Sequence, residues 1–244
     1  DKMNLENQIR EALKDELFAL HMQPIVNMDS GDISHYEALI RMVSDDGLIY
    51  PDAFIDTAER YGLITQIDYW VVKRSIEIIQ EQALLGNDIS LAINLSGYDV
   101  GDLEFLHWIV EQLDTAAGVA HKMIFEITET VAVKHMAQAG HFISTLKERG
   151  CRFALDDFGV GFSSYRHLKQ LDVDWVKIDG SFVRNIQQSN SDQIFVRSTV
   201  DIAASFNIKT VAEFIETDEV NELLKELGVG YGQGYYLGRP EALF

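Results

Sequence analysis

Along most of this chain, short apolar runs alternate with longer stretches whose apolar residues recur at helical spacing. Residues 4–20 place Leu5, Ile9, Leu13 and Leu17 four apart, which predicts an amphipathic helix. This N-terminal segment, residues 1–17, reads either as a first helix packed on the domain or as a connector from something upstream. Residues 18–28 and 33–42 read as two strands around the turn Asp29-Ser30-Gly31-Asp32, a hairpin signal. From Pro51 onward helices and strands take turns. Pro51 suits a first helical turn and Gly62 a stop, so a helix is expected over 51–62. Helical periodicity returns over 65–85, 103–117, 135–149, 191–206 and 217–227. Apolar strands are expected over 89–96, 122–129, 152–157, 175–179, 208–214 and 230–240.

Strands alternating with helices argue for the α/β class with a parallel sheet. Eight strands in 244 residues favour a closed (β/α)8 barrel, over 18–244, rather than an open sheet. No linker rich in Pro, Gly or Ser divides the chain, and no fixed-period repeat appears. There is neither a run of eighteen apolar residues nor a basic, apolar leader. The chain opens on Asp1 rather than methionine, which points to a piece of something longer. Cys151 is the only cysteine, so no internal disulfide forms and a reducing cytoplasm is the default setting. A formal charge of −19 argues against a general surface for polymeric nucleic acid, which needs cations to displace counterions from phosphates. An anionic small ligand stays compatible, provided metals and a few local cations reverse the field at one spot.

The stretch RFALDDFGVGFSS, residues 152–164, concentrates the chemistry. An apolar strand delivers Asp156 and Asp157 into a turn broken by Gly159 and Gly161. One aspartate at a turn is commonly a loop cap. Two in succession repel unless a cation lies between them. Asn94, Glu126, Lys177, Glu213 and Gln233 fall at or near the ends of other apolar strands, with Glu129 just past one of them. Glu37 and Arg41 share one side of the second hairpin strand. Each alone has a structural explanation as cap, turn or solvated charge. Together they would converge on the C-terminal face of a parallel barrel, where such folds place their chemistry. The set is rich in oxygen and free of His and Cys, which selects Mg²⁺ or Mn²⁺ over zinc or copper. Two such ions suit hydrolysis of a phosphate ester. Lys177 is then placed to steady water or developing charge, and Arg41 to fork onto a phosphate.

EALIR at 37–41 resembles the signature of the EAL family of cyclic di-GMP phosphodiesterases. The likeness continues through QPIV (23–26), NLS (94–96), EITE (126–129), DDFG (156–159), KID (177–179), AE…E (212–216) and QGY (233–235). A second EAL at 11–13 lies in the first helix and carries no meaning; the ordered set is the specific signal. The resemblance implies a modified TIM barrel whose first strand runs against the rest, and cleavage of cyclic di-GMP to linear pGpG with two Mg²⁺ or Mn²⁺ ions. It implies Glu37, Asn94, Glu126 and Asp156 around one metal, and Asp156, Asp157 and Glu213 around the second. By the same likeness Lys177 orients the nucleophilic water, Gln233 supports the substrate or a metal-bound water, and Glu129 holds the loop after the Asp156–Asp157 strand. Arg41 would hold a substrate phosphate, with Gln23 and Leu39 lining the pocket. Ca²⁺ is expected to allow binding but inhibit cleavage. The family also implies a homodimer, upstream sensory or GGDEF-type domains, and a cytoplasmic location with a parent protein that can be membrane-anchored. Two positions depart from the pattern: Val160 stands where Thr or Ala is usual, and Phe214 where Gly is commonest. The rival expectation is a cyclic di-GMP receptor that does not cut, but such receptors typically lack part of the Glu37, Asn94, Glu126, Asp156 set retained here.

Overall fold

The structure, a computed structural model, describes residues 2–161 and 165–244. Phe162, Ser163 and Ser164, which end the stretch singled out above, lie outside the described residues. Two strands, β1 (Phe18–Asn27) and β2 (Ile33–Ser44), pair antiparallel as the hairpin expected. The strands that follow are β4 (Leu91–Asn94), β5 (Met123–Thr128), β6 (Arg152–Phe158), β7 (Trp175–Ile178), β8 (Lys209–Ala212) and β9 (Tyr231–Gly232), after a short β3 (Gly47–Ile49). Hydrogen bonding runs β1-β9-β8-β7-β6-β5-β4-β2, and the β1–β2 pairing closes the ring at eight strands. β1 runs antiparallel to both its neighbours, while the others are parallel. The fold is therefore the α/β barrel with a reversed first strand that the likeness implied.

The helices are α1 (Lys2–Lys14), α2 (Pro51–Arg60), α3 (Ile64–Leu84), α4 (Leu103–Thr115), α5 (Glu129–Lys134), α6 (Met136–Lys147), α7 (Tyr165–Gln170), α8 (Asn190–Ser205) and α9 (Asp218–Glu226). α1 buries Ile9 and Ala12 against the body. It ends at Lys14, not near residue 20: Glu16 turns into the left-handed region, and Phe18 already belongs to β1. The helix expected over 135–149 is preceded by α5, separated from it by the non-helical His135. The strand expected over 230–240 is only Tyr231–Gly232. Beyond it the chain turns so tightly that a Cβ on Gly234 would meet the Ile215 backbone. β3 and α7 were not expected from sequence.

A period of two along each strand sorts the barrel interior into layers. Ile25, Ala92, Ile124, Ala154, Trp175 and Val211 pack as one small buried cluster with Tyr231, apart from the larger helix-facing core. His35 packs tilted against Trp175 in that layer, with ring centroids 5.1 Å apart. Two residues along each strand the type changes. Gln23, Glu37, Asn94, Glu126, Asp156, Lys177, Glu213 and Gln233 occupy the next positions, one per strand of the ring. An apolar plug thus carries a polar layer.

Candidate active site

Parallel register delivers this polar layer. Asn94 lies beside Glu126 across β4 and β5, and Ala92 beside Glu37 across β4 and β2. Lys177 stands at its centre, almost wholly buried. Its Nζ lies 3.0 Å from Glu37 Oε2, 2.9 Å from Glu126 Oε2, 3.2 Å from Glu213 Oε1 and 4.0 Å from Asp156 Oδ1. Burial disfavours the ammonium, but those four carboxylates outweigh it and hold the Lys177 pKa well above its ordinary value. Glu37 is the best served carboxylate. Asn94 donates to its Oε1 at 2.7 Å and Gln233 to its Oε2 at 2.5 Å. Burial works against its charge, yet Lys177, Gln233 and Asn94 together bring its pKa below the usual carboxylate value. Gln233 also donates to Gln23, which in turn donates to the Gly238 carbonyl. The β1 and β9 amides are thereby fixed against Glu37.

One lysine does not neutralise four carboxylates. Burial first, and then the charge of Glu37, pushes Glu126 well above its ordinary pKa. Asp156 is raised for the same reasons, and Glu213 is raised to about 8 by burial with Asp156 and Glu37 nearby. Asp157, more exposed, is raised to about 6 by burial and by Asp156 and Asp179. These shifts share a cause, carboxyls crowded into a buried layer, which a cation among them would relieve. One oxygen each from Asp156, Asp157 and Glu213 lies within 4.8 Å of the others, a spacing one ion can bridge. Glu126 Oε1 and Gln233 Oε1 are buried with no hydrogen-bond partner among the described residues. An all-oxygen donor set with a buried, unused carboxylate oxygen fits a hard divalent cation. Glu37, Asn94, Glu126 and Asp156 do meet in one layer, but Lys177 Nζ sits among their carboxylates.

The end of β6 is bent, with a shift of register between Leu155 and Phe158, and so holds Asp157 outward. Asp157 takes φ 52°, where its amide donates to Asp156 Oδ1 at 2.8 Å. Gly159 follows at φ 101°, and a Cβ there would meet the rings of Phe182 and Phe195. Glu129, the first residue of α5, accepts from the Gly159 amide at 3.2 Å and so ties the loop after β6 to the end of β5.

Beside the carboxylates opens a cavity of about 380 Å³ lined by Gln23, Glu37, Leu39, Arg41, Tyr50, Asp52, Glu213, Phe214, Gln233 and Tyr235. Arg41 is buried in its wall. Its guanidinium lies 4.7 Å from the Tyr50 ring centroid, and Nη1 donates to the Ile40 carbonyl. Its Nε has no hydrogen-bond partner among the described residues. Every residue singled out from sequence thus lines this cavity, the polar layer or the loop beside it. Tyr50 and Asp52 were not singled out, and Asp179 and Tyr235 entered only as members of the KID and QGY motifs, without a role. Tyr235 follows QG in the last motif, and Asp179 ends the KID strand, so both lay within reach of the pattern. Tyr50 and Asp52 flank a helix-starting proline, and no chemical signal marks them.

The chain matches the EAL domain family model over residues 6–240. It is 38% identical over 244 residues to cyclic di-GMP phosphodiesterase PdeF of Escherichia coli K12, covering all of this chain and 32% of that protein. It is 36% identical to cyclic di-GMP phosphodiesterase PdeB of Shewanella oneidensis, over 97% of this chain and 28% of that one. The chain therefore spans about a third of the length of these relatives. Among solved structures, the PaMucR phosphodiesterase in complex with c-di-GMP superposes with a TM-score of 0.93 at 31% identity, covering 98% of each chain. The FimX EAL domain from Pseudomonas aeruginosa bound to c-di-GMP gives 0.89 at 29% identity, covering 98% of this chain and 96% of that one.

Proposed function

Because the chain belongs to the EAL domain family, we propose that it hydrolyses cyclic di-GMP to linear pGpG in the polar layer at the barrel mouth. The observation that carries this reading is the unbalanced carboxylate layer around Lys177, with a free Glu126 oxygen and an arginine-walled cavity alongside. In this reading Glu37, Asn94, Glu126 and Asp156 hold one Mg²⁺ or Mn²⁺ ion and Asp156, Asp157 and Glu213 a second. Bound there, the ions supply an acidified water and counter the charge of the phosphodiester.

The chain's own groups do the rest. Lys177, kept protonated by four carboxylates, orients the attacking water and faces the negative charge that builds on the phosphoryl oxygens. The Gln233 amide, donating to both Glu37 and Gln23, sets the carboxylate that its neighbours share, and its free Oε1 accepts from substrate or water. Arg41 has donors left over after its bond to Ile40, and these take a phosphate oxygen. Leu39 and Gln23 wall the cavity against the nucleoside. Glu129, through Gly159, keeps the loop that follows Asp156 and Asp157 in place. The domain works in the cytoplasm, as a homodimer and behind sensory or GGDEF-type domains of a longer chain that can be membrane-anchored.

The test is incubation of the purified chain with cyclic di-GMP and Mg²⁺ or Mn²⁺, with nucleotides separated by chromatography. Linear pGpG is expected, and none is expected in EDTA. Ca²⁺, larger and less demanding of geometry, is expected to support binding without efficient cleavage. Asp156→Asn should abolish turnover with the fold retained by circular dichroism. Wild-type turnover in that variant, or full activity in EDTA, would overturn the assignment.

A further inference from the structure

Behind the mouth lies a second acidic pair that the chemistry above does not use. Asp68, on α3, and Asp99, in the loop after β4, are both buried and meet at Ser96, which bonds to each of them. Their partners are hydroxyls and an amide. Thr65 Oγ1 donates to Asp99 Oδ1 at 2.7 Å, and Ser96 Oγ donates to Asp99 Oδ2 at 2.8 Å. The Ser96 amide donates to Asp68 Oδ2 at 2.9 Å. Both oxygens of Asp99 accept a hydroxyl hydrogen, while Asp68 accepts only the Ser96 amide among these bonds. Burial first, then Asp99, raises the Asp68 pKa well above its ordinary value, in keeping with a protonated acid.

Ser96 is the residue on which the pair acts, and it lies two beyond Asn94. The chain between them is held on one side only by the barrel: the Leu95 amide donates to the Glu126 carbonyl at 3.0 Å. On the other side Ser96 is gripped at its amide by Asp68 and at its hydroxyl by Asp99. Asn94 itself is exposed at the mouth, and its side-chain amide donates to Glu37 Oε1. We propose that Asp68 and Asp99, which grip Ser96 at its amide and its hydroxyl, are positioning residues that fix the turn after β4 and so aim the Asn94 amide at Glu37. The inference rests on the hydrolytic reading of the mouth, and it assigns the two aspartates unequal roles. Asp68 needs one acceptor oxygen for the Ser96 amide, which asparagine also offers. Asp99 needs two acceptor oxygens, one for Thr65 and one for Ser96, and asparagine has only one.

The experiment compares Asp68→Asn, Asp68→Ala, Asp99→Asn and Ser96→Ala for kcat, KM, and the Asn94 side-chain amide signals in a ¹⁵N-labelled spectrum without substrate. Asp68→Asn should stay within about twofold of wild type and leave the Asn94 signals in place, since its bonding is preserved. Asp68→Ala and Asp99→Asn should lose about 10-fold or more in kcat with little change in KM, and should shift those signals. If Asp68→Ala does not fold, Ser96→Ala takes its place, with a smaller loss and a shift of the same signals. In an Asn94→Ala background, Asp68→Ala or Ser96→Ala should cost no further rate. The inference is overturned if Asp68→Asn is as damaging as Asp68→Ala, if the losses add fully to Asn94→Ala, or if the Asn94 signals do not move. A wild-type chain that cuts nothing would instead refute the hydrolytic reading, while the amide signals still judge the positioning pair.

Discussion

Lys177 is the residue on which the mouth is balanced. A buried ammonium is costly in isolation, and here four strands each bring a carboxylate to it. Removing it would leave those carboxylates facing one another across a few ångströms with no compensating charge. Lys177→Met is therefore expected to lose about 3–5 kcal/mol of stability at neutral pH, read from urea unfolding, together with activity. Adding Mn²⁺ should recover part of that loss, because a cation among the same carboxylates relieves the same repulsion. A variant as stable as wild type without metal would mean that the layer is not charged as described. Lys177→Arg should keep more stability than Lys177→Met yet stay inactive, since a planar fork does not reproduce a compact point charge.

At the scale of elements, the ends of β7 and β8 are locked by an unusual contact. Phe214 takes φ 59°, a left-handed conformation that glycine adopts freely and a phenylalanine only at a cost of about 1 kcal/mol or more. Its ring lies against Gly180, so closely that a Cβ there would collide with it, and Arg184 sits 4.3 Å from its centroid. Gly180→Ala is accordingly expected to lower stability by about 1–3 kcal/mol in chemical denaturation. In a Phe214→Ala background the same change should cost under about 0.5 kcal/mol, because the obstacle is gone. Equal costs in both backgrounds would show that the ring simply swings aside. This contact also marks the limit of sequence reading. Phe214 stands out in the chain as bulk where glycine is commonest, but its partner Gly180 looks like any loop glycine. The polar layer was legible because each member follows an apolar strand at a fixed step of two, and the hairpin because its turn residues are explicit. The shortness of β9 was not legible, since GYGQGYYLG has strand-like aromatics and only the packing of Gly234 on Ile215 ends the pairing. Nor was the Asp68–Asp99 pair: the two are 31 positions apart on a helix and a loop, and only tertiary packing joins them.

Across the whole molecule, the barrel stacks a neutral layer beneath a charged one, and the division depends on His35 staying uncharged. His35 is buried, with Ser34 Oγ 3.0 Å from its Nδ1 and Trp175 against its ring. The groups facing it are mostly cationic: Lys177 above, with Arg152 and Lys209 flanking Trp175 and Glu37 as the one opposing charge. Burial, then Lys177 and Arg152, lowers its pKa to about 3, against 6.5 for the unperturbed side chain. Between those values the unfolded chain binds a proton that the folded chain does not, so this group favours unfolding progressively as pH falls from 6.5 towards 3. Its share of the slope reaches about 1.4 kcal/mol per pH unit. His35→Gln, which keeps a polar group for Ser34 and cannot take up a proton, should cost stability at pH 7 through poorer packing on Trp175. That deficit should shrink with each step of acidification and vanish or reverse near pH 4, in urea midpoints taken from pH 7 downward. If the two curves stay parallel across this range, His35 does not set the acid limit.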